Sequence, residues 1–119
     1  MLINAESKMM DPQQLYDLLI EVNSKIERKG KTMPYTSVNG HMFSFLSKEG
    51  KMGLRLSEND RAAFMETFET TLMEQHGRTM KEYVEVPYSL LQETTQLSAY
   101  LQKSLDYTSS LKPKVSKKK

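Results

Sequence analysis

The chain has no cysteine in its 119 residues. That excludes disulfides, thiolate zinc sites and a cysteine nucleophile, and it fits a reducing compartment. Long apolar runs are missing too: nothing approaches the ~18 residues a membrane-spanning helix needs. The opening MLINAESKMM carries Glu6 and lacks the apolar core of a leader peptide. The expectation is a soluble, cytoplasmic protein with no membrane contact. Glycine is limited to five positions, and these form neither GxGxxG nor GxxxxGK[ST], so the usual phosphate-cradling loop at a helix start has no frame. No GxSxG or SxxK supplies the elbow or base of a serine nucleophile. Histidine is confined to His41 and His76, beside turns and without HxxxH or HExxH spacing. We therefore expect no metal, no cofactor and no enzymatic activity.

What is present describes one folding domain. Apolar residues make up 38% and charged residues 27%, outside the corner of composition where chains stay disordered, and the length suits a single core. The net charge of +2 misleads, because the last eight residues, KPKVSKKK, hold five lysines and leave −3 over residues 1–111. A surface that neutralises phosphates gathers Lys and Arg on one face, so the candidate nucleic-acid contact is the tail: Lys112, Lys114, Lys117, Lys118 and Lys119. The tail has no interleaved aromatics for base stacking, and short lysine-rich ends also serve solubility. The chain divides into a flexible start over residues 1–10, a folded domain over 11–111 and a basic tail over 112–119.

Local signals set the order of elements. In DPQQLYDLLIEVNSKIERKG, the spacing of Leu15, Leu18, Leu19, Val22 and Ile26 predicts one apolar helical stripe. Asp11 is its N-cap, Pro12 its first residue and Gly30 its left-handed end. Asn39-Gly40 is the preferred type I′ dipeptide and joins two strands, YTSV and HMFSFLS. Alternation puts Phe43 and Phe45 on one face of the second strand and Met42 and Leu46 on the other, which marks it as the central strand. A looser turn at Lys48-Glu49-Gly50 leads into KMGLRL, and Ser57 then caps a helix, ENDRAAFMETF, that buries Ala63, Phe64 and Phe68. TTLMEQ, a turn at His76-Gly77-Arg78 and MKEYVEV form a second hairpin, ended by Pro87. A last helix carries Leu97, Tyr100, Leu101 and Leu105, with Leu90 and Leu91 in a separate first turn. The fold class is α+β, α-β-β-β-α-β-β-α: a mainly antiparallel five-stranded sheet packed against the N- and C-terminal helices.

Among the acids, Glu82 and Glu85 fall on opposite sides of a strand and cannot act as a general acid–base pair. Arg55, Tyr83 and Glu85 could line an open sheet face and form a small-ligand site. A solvated cross-strand network of the same residues is the stronger reading.

At this point the sequence resembles a known family. The Asn39-Gly40 turn, the apolar strand over residues 41–46, Gly50, the LRL of residues 54–56, the NDRAAF of residues 59–64 and the YVEVP of residues 83–87 are similar to the motif order of the TfoX/Sxy N-terminal domain. The resemblance covers roughly residues 12–110. Family members carry MFGG ahead of the first strand, where this chain has Met33-Pro34-Tyr35-Thr36. Longer members add a C-terminal helical domain, expected to be absent here. The resemblance implies a non-enzymatic interaction or accessory domain in transcriptional or competence-type regulation, with a protein partner or a second copy bound through a sheet edge or the Phe43/Phe45 face. The alternatives are a nucleic-acid-associated regulator using the lysine tail and a small-ligand-binding domain.

Overall fold

The first helix starts where local chemistry places it and stops well before the apolar spacing runs out. In the computed structural model, which describes residues 10–113, α1 spans Pro12–Glu21. Proline sits at its first turn, and Gln14 Oε1 accepts from the Asp11 N–H at 3.2 Å. Its end is set by Asn23, whose Nδ2 donates to the Leu19 carbonyl at 2.7 Å and to Ser98 Oγ on the last helix at 3.1 Å. That side chain occupies a carbonyl a further turn would have used. The buried stripe is therefore Leu15, Tyr16, Leu19 and Ile20, and the expected Leu18 and Val22 are exposed. Arg28 folds back onto Asp17 at 2.7 Å. Gly30 is left-handed as expected (φ 82°), but it belongs to the turn into the sheet and not to a helix end. There Lys29 and Tyr35 exchange backbone hydrogen bonds of 2.8 and 2.9 Å.

Five antiparallel strands follow: β1 (Tyr35–Val38), β2 (His41–Leu46), β3 (Met52–Arg55), β4 (Leu72–Gln75) and β5 (Arg78–Val86). Their spatial order is β1-β2-β3-β5-β4, so β3, and not β2, is central. Both tight hairpins have positive φ at both turn residues, 55° and 79° at Asn39-Gly40 and 55° and 76° at His76-Gly77, as type I′ turns require. Helix α2 (Glu58–Phe68) links β3 to β4, and α3 (Tyr88–Leu91) with α4 (Thr94–Ser109) closes the chain. Ser57 Oγ accepts from the Asp60 N–H at 3.3 Å to cap α2. Phe64 is buried and stacks with Phe68 and Tyr100, with centroids 4.7 to 5.5 Å apart. Ala63, expected to be buried, is exposed, because the neighbouring helical position lies about 100° around the axis.

One sheet face carries the core. Lateral rows Leu46, Met52, Val86 and Ser44, Leu54, Val84 meet Leu15 and Leu19 of α1, Leu90 and Leu91 of α3, and Leu97 and Leu101 of α4. Three hydroxyls in this layer satisfy one another: the Tyr16 phenol bonds Ser44 Oγ at 2.7 Å, and Ser44 Oγ bonds Thr36 Oγ1 at 2.6 Å. Burial pushes the Tyr16 phenol up to about 12, against the pull of those hydrogen bonds.

A β-bulge overturns the expected facing of β2. Thr36 lies opposite Ser44 and Ser37 opposite Met42, which leaves Phe43 as an extra residue on β2. Phe43 therefore joins the helix-side core, while Met42 swings to the far face beside Phe45. The shared Phe43/Phe45 face does not exist.

Candidate interaction surface

On the face of the sheet away from the core, side chains of β1 and β2 meet residues of the β4–β5 hairpin. Phe45 lies over Gly53, its partner across β3, and meets the Tyr83 ring edge-on at 5.8 Å. Met33, Tyr35, Met42, Phe45, Gln75 and Met80 surround an apolar recess of about 180 Å³. Gln75 and Met80 of the β4–β5 hairpin join this lining beyond the register shift that takes the pairing from Leu72–Val84 to Met73–Met80. Beside this recess, and sharing Met33 and Gln75 with it, lies a polar hollow of about 370 Å³ edged by Lys48, Lys51 and His76 but also by Glu49 and Glu74. Charges of both signs meet there.

Arg55 and Tyr83 are brought together. They are cross-strand partners, and the guanidinium stands 5.8 Å from the ring centroid. Arg55 turns to Glu82, with Nε donating at 2.7 Å and Nη2 at 2.6 Å to Oε1, and the Tyr107 phenol reaches the same oxygen at 3.4 Å. The Tyr83 phenol donates to the Met42 carbonyl at 2.6 Å, and burial raises its pKa while Arg55 opposes the rise. Glu85 stays apart: it lies opposite Gly53, and no hydrogen bond or ion pair joins its carboxylate to Arg55 or Tyr83. Arg55 and Tyr83 take no part in lining the apolar recess beside them. Sequence reasoning missed Glu82 because strict alternation puts it on the other face; the long Arg55 side chain reaches it at the strand end, where the sheet twists.

The histidines occupy separate places. His41 Nε2 bonds the Lys112 carbonyl at 2.8 Å, next to Asn39, whose Nδ2 donates to the Ser109 carbonyl at 3.0 Å, so the first hairpin turn holds the end of α4. His76 sits at the tip of the second hairpin. Among the described residues, no three His, Asp or Glu side chains cluster where they could hold a metal ion, and no helix is long and apolar enough to cross a membrane. Lys112 is exposed. Lys114, Lys117, Lys118 and Lys119, and the expected flexible start apart from Met10, lie outside the described residues.

The other open feature is at the margin of the sheet. Among the described residues β4 is an outermost strand, so half of its backbone polar groups point away from any strand. The Thr71 carbonyl accepts from the Glu85 N–H at 2.9 Å, which directs the N–H and C=O of Leu72, and by alternation Glu74, to the open side. A shallow groove of about 680 Å³ runs between this hairpin and α2. Met65 and Leu72 are its apolar lining, Glu66 and Glu74 its charges, and three threonines supply hydroxyls. No pattern within β4 or α2 announces this groove, since it forms only where α2 packs beside a strand that follows it in sequence. Comparison of the chain with protein-family models, curated proteins and solved structures finds no match.

Proposed function

We propose that the chain is a non-enzymatic protein-interaction domain of the TfoX/Sxy N-terminal type, an accessory module in cytoplasmic transcriptional or competence-type regulation, and that it takes an extended segment of a partner protein along β4. The observation that carries this reading is the β4 edge beside the α2 groove, which among the described residues pairs with no further strand: its outward Leu72 and Glu74 carbonyls take only local side-chain hydrogen bonds, from Thr71 Oγ1 at 3.4 Å and Gln75 Nε2 at 3.1 Å, and an apolar lining and hydroxyls lie beside them. An added strand satisfies such an edge with main-chain hydrogen bonds and gains selectivity from alternate side chains. The family part of the reading rests on the motif order around Asn39-Gly40, residues 54–64 and residues 83–87.

The test places a photoreactive benzoylphenylalanine at Thr71 or Glu74 of the full chain in cells, with exposed Thr95 on α4 as the control position. Defined protein adducts from positions 71 and 74, absent from position 95, are expected. No adduct from the edge, or the same adducts from all three positions, overturns the proposal.

A further inference from the structure

The groove beside β4 also carries the chemistry of what it would select. Its lining contains two carboxylates, Glu66 from α2 and Glu74 from β4, and neither Lys nor Arg. Helix α2 carries Glu58 and Asp60 in its first turn, outside the groove lining, and its one cation, Arg61, donates to the Leu56 carbonyl at 2.9 Å. Arg78 and Lys81 are exposed on β5, the next strand inward, and do not line the groove. Leu72 and Glu74, the residues of β4 that line the groove, are also those whose backbone groups face the open side, Leu72 by the Glu85–Thr71 hydrogen bond and Glu74 by alternation; Glu74 also edges the hollow that holds Lys48 and Lys51.

These two facts fix a register. A strand added along β4 places the residue opposite Glu74 on the groove side, next to Glu74 and in the groove that Glu66 also lines. The residue two positions along lies opposite Leu72, beside Met65.

We infer that the partner segment is an extended, basic peptide with Lys or Arg opposite Glu74 and an apolar side chain two positions away opposite Leu72. This rests on the edge-binding reading above and names its ligand class. Backbone pairing supplies sequence-independent affinity; the carboxylates supply the preference, since like charges placed opposite one another on a sheet repel.

The experiment titrates the isotope-labelled full chain with two blocked peptides, SKTVTKS and SETVTES, and follows the backbone amide signals at low ionic strength. The basic peptide is expected to shift the amides of residues 65–66 and 71–75, and to bind about tenfold more tightly than the acidic one, as two exposed charge pairs changed from attraction to repulsion would give. The double variant Glu66→Lys with Glu74→Lys should reverse the preference. Both side chains are exposed, and an unchanged amide spectrum elsewhere shows that the variant is folded. Equal binding of the two peptides, no shifts at millimolar peptide, or shifts confined to the Met42 and Met80 recess would overturn the inference. Adducts at positions 71 and 74 combined with equal binding would leave the edge-binding function standing and remove only its charge selectivity. Absent adducts would remove the function itself.

Discussion

Replacing Gly53 by alanine tests the layer that closes the far face of the sheet. Gly53 is buried on central strand β3, and a Cβ there would overlap Phe45 Cε1 and stand 2.7 Å from Cζ. The ring is rigid, 3% exposed and braced by Tyr83, which is itself tied to the Met42 carbonyl. Relief requires the ring to slide into the apolar recess, disturbing Tyr35, Met42 and Met80. Overpacking of this kind costs about 1–3 kcal/mol, and we expect about 2 kcal/mol for Gly53→Ala. On a domain of this size that lowers Tm by roughly 8 °C. The decisive measurement is a double-mutant cycle with Phe45→Ala, read by urea unfolding with far-ultraviolet circular dichroism. With the ring gone, Gly53→Ala should cost nothing or stabilise by about 0.5 kcal/mol, since alanine restricts the unfolded chain more than glycine does. The coupling energy should therefore be about 2 kcal/mol or more. If Gly53→Ala is tolerated in the parent chain, or costs the same with and without Phe45, the stacking of Phe45 on Gly53 does not hold that face together.

Other expectations address different parts of the fold. Tyr16 has a folded-state pKa of about 12 against an ordinary 10.0, so the unfolded chain ionises first; the stability from this group is whole below pH 10 and is lost as the pH rises towards 12. The full loss is about 3 kcal/mol, and the difference in urea stability between the parent and Tyr16→Phe should shrink across that interval; a constant difference refutes it. Gly30 and Gly77 share a left-handed backbone (φ 82° and 76°), yet a Cβ at Gly30 would overlap the Met33 carbonyl oxygen and one at Gly77 meets nothing within 4 Å. Alanine should therefore cost about 1 kcal/mol at position 77 from backbone strain alone, and about 2 kcal/mol more at position 30; equal melting temperatures for the two variants would refute the steric difference. Glu82→Gln removes the partner of Arg55, but the Glu82 side chain is 41% exposed. A loss below about 1 kcal/mol is expected, fading in high salt, and a large salt-independent loss would count against the pair being solvent-screened.

The turns were readable because their chemistry is contiguous. Asn39-Gly40 and His76-Gly77 each put a residue tolerant of positive φ before glycine, and Ser57 caps the helix that begins at the next residue. Period-two runs and helical spacing then yielded the five strands, the element order and the apolar stripe of the last helix, whose Leu97 and Leu101 are buried. Ala63 was misread for a local reason, its place around the helix axis, whereas the end of α1 and the facing of Phe43 are placed by something distant in sequence. Asn23 ends α1 partly by bonding Ser98, and Phe43 turns inward where Ser104 on α4 donates to its carbonyl at 3.2 Å. Of the candidate ligand residues, Arg55 and Tyr83 meet because adjacent strands align them, and Glu85 stands off in favour of Glu82.

By itself, then, the sequence determined where the chain reverses, which segments are helical or extended, and that hydrocarbon must line one side of a single antiparallel sheet. These follow from backbone sterics and from periodicity among residues close along the chain. Only the tertiary structure decided which strand is central, which phenylalanine of β2 enters the core, and that α2 and β4 leave a groove with two carboxylates along the strand that is outermost among the described residues. Such features depend on how surfaces far apart in sequence fit when packed, and a one-residue bulge is enough to reverse what alternation alone would assign.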